Sequence, residues 1–247
     1  MRPERNHLNQ LIGFAVPNWR PPPVPDRTTL EGRFCRVEPL DPARHAVDLF
    51  NSNRMDAEGR IWTYLPYGPF DRLDDYHAWM EQTCAGDDPL FYAVVNAATN
   101  KATGVASYLR IDPPNGSIEV GHINYSPLLQ RTPAATEAMY LMMEYVFRLG
   151  YRRYEWKCNA LNEASRVAAL RLGFSFEGIF RQAAVVKGRN RDTAWYAVID
   201  EEWPALRDAY LHWLDSSNFD EQGRQRARLS DLTVPILKKQ DDATIDK

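Results

Sequence analysis

The sequence predicts a mixed α/β (α+β) fold arranged around one sheet, and three observations carry that expectation. Strand and helix signals alternate without interruption from Arg33 to Asp200. In the first half, three strand signals follow one another through short turns, as in a meander. After Tyr125 the apolar spacing switches from alternation to a 3.6-residue period, and strand, helix, strand, helix and hairpin then follow in turn. With 247 residues, 44% of them hydrophobic, the chain suits one large domain with extensions better than two small ones.

Residues 1–27 contain Pro3, Pro17, Pro21, Pro22, Pro23 and Pro25 and are expected as an extended N-terminal arm, because proline supplies no backbone donor. Its apolar side chains, Leu11, Ile12, Phe14, Val16 and Trp19, imply packing on the domain or on a second subunit, so a homodimer stays open. The domain is expected over residues 28–215. It opens with a strand near Arg33–Val37, helices near Ala43–Asn53 and Leu73–Ala85, and strands at Phe91–Asn96, Thr103–Ile111 and Ser117–Tyr125. The clearest helix follows, with Ala135, Ala138, Met139, Met142 and Val146 on one face. Tyr151–Cys158 reads as a strand, Glu163–Leu172 as a helix closed by Gly173, and Phe180–Lys187 with Asp192–Asp200 as a hairpin around Gly188-Arg189-Asn190. Residues 216–247, rich in charge, are expected as a partly ordered tail with one short helix around Gln225–Leu229.

A net charge of −3 argues against a partner held by phosphate contacts, so no nucleic acid is expected and a small molecule or protein is the better partner. No run approaches the roughly 20 apolar residues of a membrane span, and MRPERNHLNQ lacks the apolar centre of a secretory signal, which leaves the cytoplasm as the expected compartment. Cys35, Cys84 and Cys158 are too few and too scattered for a disulfide framework. His7, His45, His77, His122 and His212 have no ligand spacing, so no metal is expected.

Between the strand ending at Tyr125 and the clear helix lies Ser126-Pro127-Leu128-Leu129-Gln130-Arg131-Thr132-Pro133-Ala134-Ala135-Thr136-Glu137-Ala138. Thr132 suits the N-cap and Pro133 the first helical position, and the free amides of that turn carry the positive end of the helix dipole. A pyrophosphate fits such a site, with Arg131 adding charge and Ala134 and Ala135 allowing close approach, although the same features also describe an ordinary capped helix.

This junction resembles that of the GNAT superfamily, RimJ/RimL-like branch, whose pattern Gln/Arg-x-x-Gly-x-Gly/Ala is followed by Thr-Glu-Ala. Gln130, Ala135, Thr136, Glu137 and Ala138 match, and Pro133 stands where the pattern has its first glycine. The resemblance continues in order through Asn159-Ala-Leu-Asn162-Glu-Ala-Ser165, Leu172-Gly173-Phe174, Glu177-Gly178, Arg181, Lys187-Gly188-Arg189-Asn190-Arg191-Asp192 and Glu202-Trp203-Pro204. It implies a central, mostly antiparallel sheet with one parallel step and helices on both faces. It also implies an N-acyltransferase using acetyl-CoA as acyl-donor cosubstrate, with succinyl-CoA as the other donor to weigh. A CoA-binding regulatory or interaction protein without turnover is the competing class.

Acyl transfer to an amine requires a neutral nitrogen, a stabilised oxyanion and a proton for the departing thiolate. A lysine-like ammonium, with a pKa of about 10.4, needs a base. Glu119 is the first candidate and His122 the second, against the plainer readings of an ion-paired strand residue and a packed histidine. Strict alternation puts Glu119, Gly121, Ile123 and Tyr125 on one face and His122 on the other, so the two are not expected to act together. By resemblance, backbone amides near Ile123–Tyr125 hold the oxyanion, Gln130 to Thr136 hold the cofactor, Asn162 binds the pantetheine arm or steadies Ser165, and Ser165 serves as proton donor. Ala169 occupies the position where many relatives carry a tyrosine. Without the resemblance, Asn162 is simply a helix cap.

The acceptor is expected between residues 49–70 and 182–192, where Trp62, Tyr64 and Tyr67 form an aromatic pocket wall or a satellite core cluster. Asp71, Asp74 and Asp75 suit a cationic amine, whereas Arg181, Arg189 and Arg191 suit a carboxylate. An amine-bearing small molecule and a protein N-terminus both remain as acceptors.

Overall fold

A computed structural model describes residues 3–239. Ten strands and six α-helices are present: β1 (Glu4–Arg5), β2 (Leu11–Ile12), β3 (Leu30–Glu31), β4 (Cys35–Pro39), α1 (Pro42–Asn53), α2 (Leu73–Thr83), β5 (Leu90–Asn96), β6 (Ala102–Asp112), β7 (Ser117–Tyr125), α3 (Pro133–Leu149), β8 (Arg153–Asn159), α4 (Glu163–Arg171), β9 (Ser175–Val186), β10 (Arg189–Ile199), α5 (Trp203–Leu214) and α6 (Leu229–Thr233). β1 and β2 form a separate hairpin, and the other eight strands form one sheet in the order β3-β4-β5-β6-β7-β8-β10-β9. Every neighbouring pair in that sheet is antiparallel except β7 and β8.

The sheet is covered on both faces, as β5 demonstrates. Its apolar run sends Leu90, Tyr92 and Val94 to one face and Phe91, Ala93 and Val95 to the other, all buried. The first face packs under α3, α4 and α5, with Met139, Met142, Met143 and Val146 of α3 among its core residues. Each such fully buried side chain contributes roughly 1.5–3 kcal/mol. The second face packs under α1 and α2 through Ala46, Leu49, Phe50, Tyr76 and Met80.

Glu137 locks α3 to the sheet. Its carboxylate accepts the backbone N–H groups of Arg33, Phe34 and Cys35 at 2.6–2.9 Å, so it belongs to the scaffold. The arm binds its own domain through residues 19–27: Trp19 Nε1 donates to the Pro114 carbonyl, and Tyr92 and Tyr145 donate to Asp26.

Several elements depart from the sequence expectation, among them three with a clear physical reason. The β9–β10 turn lies at Lys187-Gly188 rather than Gly188–Asn190, because a two-residue hairpin loop needs two positive φ angles and these residues supply them, at 49° and 71°. The short tail helix begins at Leu229, where the expected helix ended, because Leu229 is the residue that reaches the core. α5, where no helix was expected, is capped at Glu202, starts with Trp203-Pro204 and buries Trp203, Leu206, Tyr210 and Trp213.

Candidate active site

The parallel ladder between β7 and β8 runs only from Ser117 to Val120 against Arg153 to Trp156. Beyond it the strands part: Gly121, Asn124 and Tyr125 pair only with β6, and Lys157–Asn159 pair only with β10. The result is a slot between two strand edges with free backbone groups, open toward the start of α3. An elongated thioester can be threaded there with its amides on the strand edge.

At the mouth of the slot the cap geometry agrees with expectation. Thr132 Oγ1 accepts the Ala135 N–H at 3.2 Å and donates to the Leu129 carbonyl at 2.7 Å, and Pro133 opens the helix. Arg131 is exposed with φ of 61°, and Gln130 Nε2 donates to the Tyr125 carbonyl at 2.7 Å, tying the turn to the last residue of β7. Ile123 and Tyr125 pack toward the α3 face. Arg33, which carries no motif signal, shares a cavity of about 160 Å³ with Thr132, Pro133 and Ala134. Thr136 lies on the inner side of the turn. Its side chain is buried against Arg171, whose guanidinium donates to Oγ1 at 3.2 Å, so only its backbone faces the turn.

On the α4 side, Asn162 Oδ1 caps the helix by accepting the Ser165 N–H at 3.2 Å. Ser165 Oγ accepts the Trp156 Nε1–H at 3.0 Å, and the same hydroxyl faces the Cys158 thiol. Cys158 lies beside it, and burial raises its thiol pKa despite the Ser165 hydroxyl, so it is a poor nucleophile. Ala169 is fully buried and offers no polar group.

The opposite face holds the charges. Glu119 is 3% exposed; its Oε1 accepts from Arg110 Nη1 at 2.7 Å and its Oε2 lies 2.9 Å from Lys157 Nζ. Lys157 also meets Glu155 at 2.6 Å and stands over the Trp195 ring, while Arg153 bridges Glu155 and Glu177. Burial raises the Glu119 pKa above the usual carboxylate value, with Lys157 and Arg110 pulling against it.

The alternation expected along β7 fails at His122. One extra residue enters β7 opposite β6 between Gly121 and Asn124, and His122 takes φ of 49°. This bulge turns His122 onto the Glu119 face, where its ring stacks with Tyr67 (5.7 Å between centroids) and meets Phe91 (5.0 Å). Burial, with the charges of Arg110 and Arg191, pulls the His122 pKa down to about 4, so the ring is neutral at neutral pH.

The aromatic segment covers this face. Trp62 is a core residue of the α1/α2 cluster rather than a pocket wall, while Tyr67 reaches Nδ1 of His122 at 3.3 Å and Tyr64 donates to the Leu161 carbonyl at 2.9 Å. Lys187 at the hairpin tip donates to the carbonyls of Trp62, Tyr67 and Gly68, clipping the segment down. Arg181 and Arg189 are exposed, and the arginine that faces inward is Arg191. Arg110, Lys157 and Asn124 had no local signal in the sequence, since only strand register brings them together with Arg191, which the hairpin motif had already marked.

A family model described as an acetyltransferase (GNAT) domain matches residues 36–175. The chain belongs to the GNAT acetyltransferase family. A GCN5-related N-acetyltransferase from Brucella melitensis is 48% identical, covers 88% of this chain and 99% of its own, and superposes with a TM-score of 0.86. At the level of fold, the GNAT chain also resembles the Microcin C7 self immunity acetyltransferase MccE in complex with acetyl-CoA and AMP (21% identity, 68% and 93% coverage, TM-score 0.59). RimL, a ribosomal L7/L12 alpha-N-protein acetyltransferase, is similar at 20% identity, 70% and 94% coverage and a TM-score of 0.57. A comparison with curated proteins returns no match. Among the described residues no helix is long and apolar enough to cross a membrane, and no cluster of metal-ligating side chains occurs.

Proposed function

We propose that this GNAT protein transfers an acetyl group from acetyl-CoA directly to an amine. The observation that carries the reading is the parting of β7 and β8 just after Val120 and Trp156, with Glu119 at the fork on one face and Ser165 beside Trp156 on the other. Acetyl-CoA supplies the activated acyl group. The first turn of α3, with Gln130 and Arg131 before it, holds the pyrophosphate, and the unpaired edge of β7 at Ile123–Tyr125 orients the chain of amides and offers backbone donors to the oxyanion.

Glu119 takes the amine proton. Its burial makes it a stronger acceptor than an exposed carboxylate, and Arg110 and Lys157 fix its oxygens. His122, neutral and with a low pKa, is too weak a base for this step and orients the acceptor through its ring nitrogens. Ser165, with one lone pair held by Trp156, passes a proton to the departing thiolate and takes one back from solvent, while Glu119 releases the amine proton to solvent.

Pro133 and Ala169 favour a second reading, a CoA-binding protein without turnover. The test follows thiol release from acetyl-CoA, with succinyl-CoA beside it, over an amine panel. Turnover that falls by about 10²–10⁴ in Glu119→Gln supports the proposal. CoA binding without thiol release, unchanged by Glu119→Gln or Ser165→Ala, supports the second reading instead.

A further inference from the structure

The charged side chains on the α1/α2 face do not balance around the slot. Glu119, Glu155 and Glu177 are all engaged, by Arg110, Lys157 and Arg153. Arg191 is the cation left over. It precedes Thr193, the last β10 residue paired with β8, on the same side of β10 as Trp195, and so lies just past the end of β8 at the slot. Its Nε is buried and has no hydrogen-bond partner among the described residues, and none of their carboxylates forms an ion pair with it. The Arg191 charge bears on His122 across the slot and on Cys158 at the end of β8, which puts it next to both strand edges.

Two more donors on this face are in the same condition. Trp195 Nε1, two residues along β10, is buried without a partner. Asn124 of β7 is 3% exposed, and neither atom of its amide has a partner. The bulge puts Asn124 on the His122 side, paired with Val105 of the α1/α2 core. Buried donors left unpaired cost about 1–3 kcal/mol each, so a face that keeps several of them is built to have them met by a ligand. The acidic alternative is absent here: Asp71, Asp74 and Asp75 are exposed near the start of α2, and Asp74 pairs with Arg72.

We infer that the acceptor is an amine carrying its own carboxylate, as an amino acid does, and that Arg191 binds that carboxylate while the amine faces Glu119. This rests on the acyl-transfer reading and narrows it, since polyamines and lysine side chains lack the anion. The planar guanidinium suits a carboxylate better than a point charge does. Arg191 is a specificity residue; Glu119 remains the base.

The experiment measures acetyl-CoA turnover by the full chain with glutamate, glycine and alanine, with their carboxamides, with spermidine and with a tetrapeptide of free N-terminus. Free acids are expected to exceed their carboxamides at least about tenfold in kcat/KM, the effect of one charge-assisted hydrogen bond. Arg191→Gln is expected to raise KM for the acid by a similar factor and leave KM for the carboxamide unchanged; Arg191→Lys is expected to restore part of the preference. Equal use of acid and carboxamide, or preference for spermidine or the tetrapeptide, overturns the inference and leaves acetyl transfer to amines standing. Preference for succinyl-CoA over acetyl-CoA with carboxamide acceptors, lost in Arg191→Gln, reassigns the carboxylate to the donor and also overturns it. If no amine is acetylated, the acyl-transfer reading fails and the acceptor assignment falls with it, and calorimetry of the CoA-saturated protein with glutamate against glutamate carboxamide decides the carboxylate site alone: tighter acid binding lost in Arg191→Gln supports that site, and equal binding overturns it.

Discussion

On the side of the sheet under α3, α4 and α5, the polar groups at the slot are backbone amides and short caps: Thr132, Asn162 and the Ser165 hydroxyl. On the side under α1 and α2 they are long charged side chains that reach across β6, β7 and β8. A cap is satisfied within three or four residues of chain and holds its geometry whatever the rest of the sheet does. A cross-strand charge network is satisfied only once the register is set, and each member depends on the others. The α3/α4 side, proposed for the acyl donor, is therefore modular and the α1/α2 side, proposed for the acceptor, cooperative, and the two should respond differently to single changes.

Lys157 should expose that difference most strongly. It separates Glu119 from Glu155, which stand opposite each other in the β7–β8 register. Lys157→Met leaves two buried carboxylates facing each other with one cation fewer, at an expected cost of about 3–5 kcal/mol by denaturant unfolding. Because Lys157 is the largest influence lowering the Glu119 pKa, its loss raises that pKa further. The acid limb of the kcat/KM profile is then expected to move to higher pH. A limb that stays in place would show that Glu119 is not the group being titrated.

The same contrast explains what was legible in the sequence. The fold read well because its signals are local: the 3.6-residue period of α3, the Thr132 cap, the alternation of β5 and the glycine closing α4. The motif from Gln130 to Ala138 likewise marked the turn proposed to hold the pyrophosphate, and within it the Thr136 side chain meets Arg171 while Glu137 accepts the amides of Arg33, Phe34 and Cys35. On the α1/α2 face the sequence named Glu119, His122, Tyr67 and Arg191 one by one but not how they meet. Arg110 and His122 both sit at bulges with positive φ, and a bulge inverts the alternation on which face assignments depend. Nothing in Gly121-His122-Ile123 announces the extra residue. Lys157 and Trp195 are ordinary strand residues until β8 and β10 pair.

His122 offers a milder probe of the acceptor face. Its folded pKa of about 4 lies below the ordinary value near 6.5, so the unfolded chain binds the extra proton between those values. Its contribution to stability is thus complete above about 6.5 and is lost as pH falls toward 4, amounting to about 3 kcal/mol over the window. His122→Phe keeps a ring between Tyr67 and Phe91 but cannot titrate. The variant is expected to lose that part of the pH dependence in unfolding experiments, while His45, whose pKa is also depressed by burial, contributes equally to both proteins. An unchanged difference between the two proteins from pH 7 to 4 would mean that the imidazole is not desolvated.

The smallest effect belongs to the donor side and tests its modularity. Thr132→Ala removes the hydroxyl that accepts the Ala135 N–H, and an N-cap of this kind is worth about 1 kcal/mol. The carboxylate pairs of the other face share no partner with Thr132, so the acid limb of the rate profile is expected to stay where it is. Saturating CoA should also narrow the stability gap between variant and wild type. A pyrophosphate at the helix start accepts from the amides there, and so takes over the Ala135 N–H that the hydroxyl had capped. Pro133 contributes no amide at this turn, so Ala134 and Ala135 supply the nearest ones, and the recovery depends on them. A gap that stays the same with and without CoA would place the pyrophosphate away from this turn, leaving Thr132 as an ordinary cap.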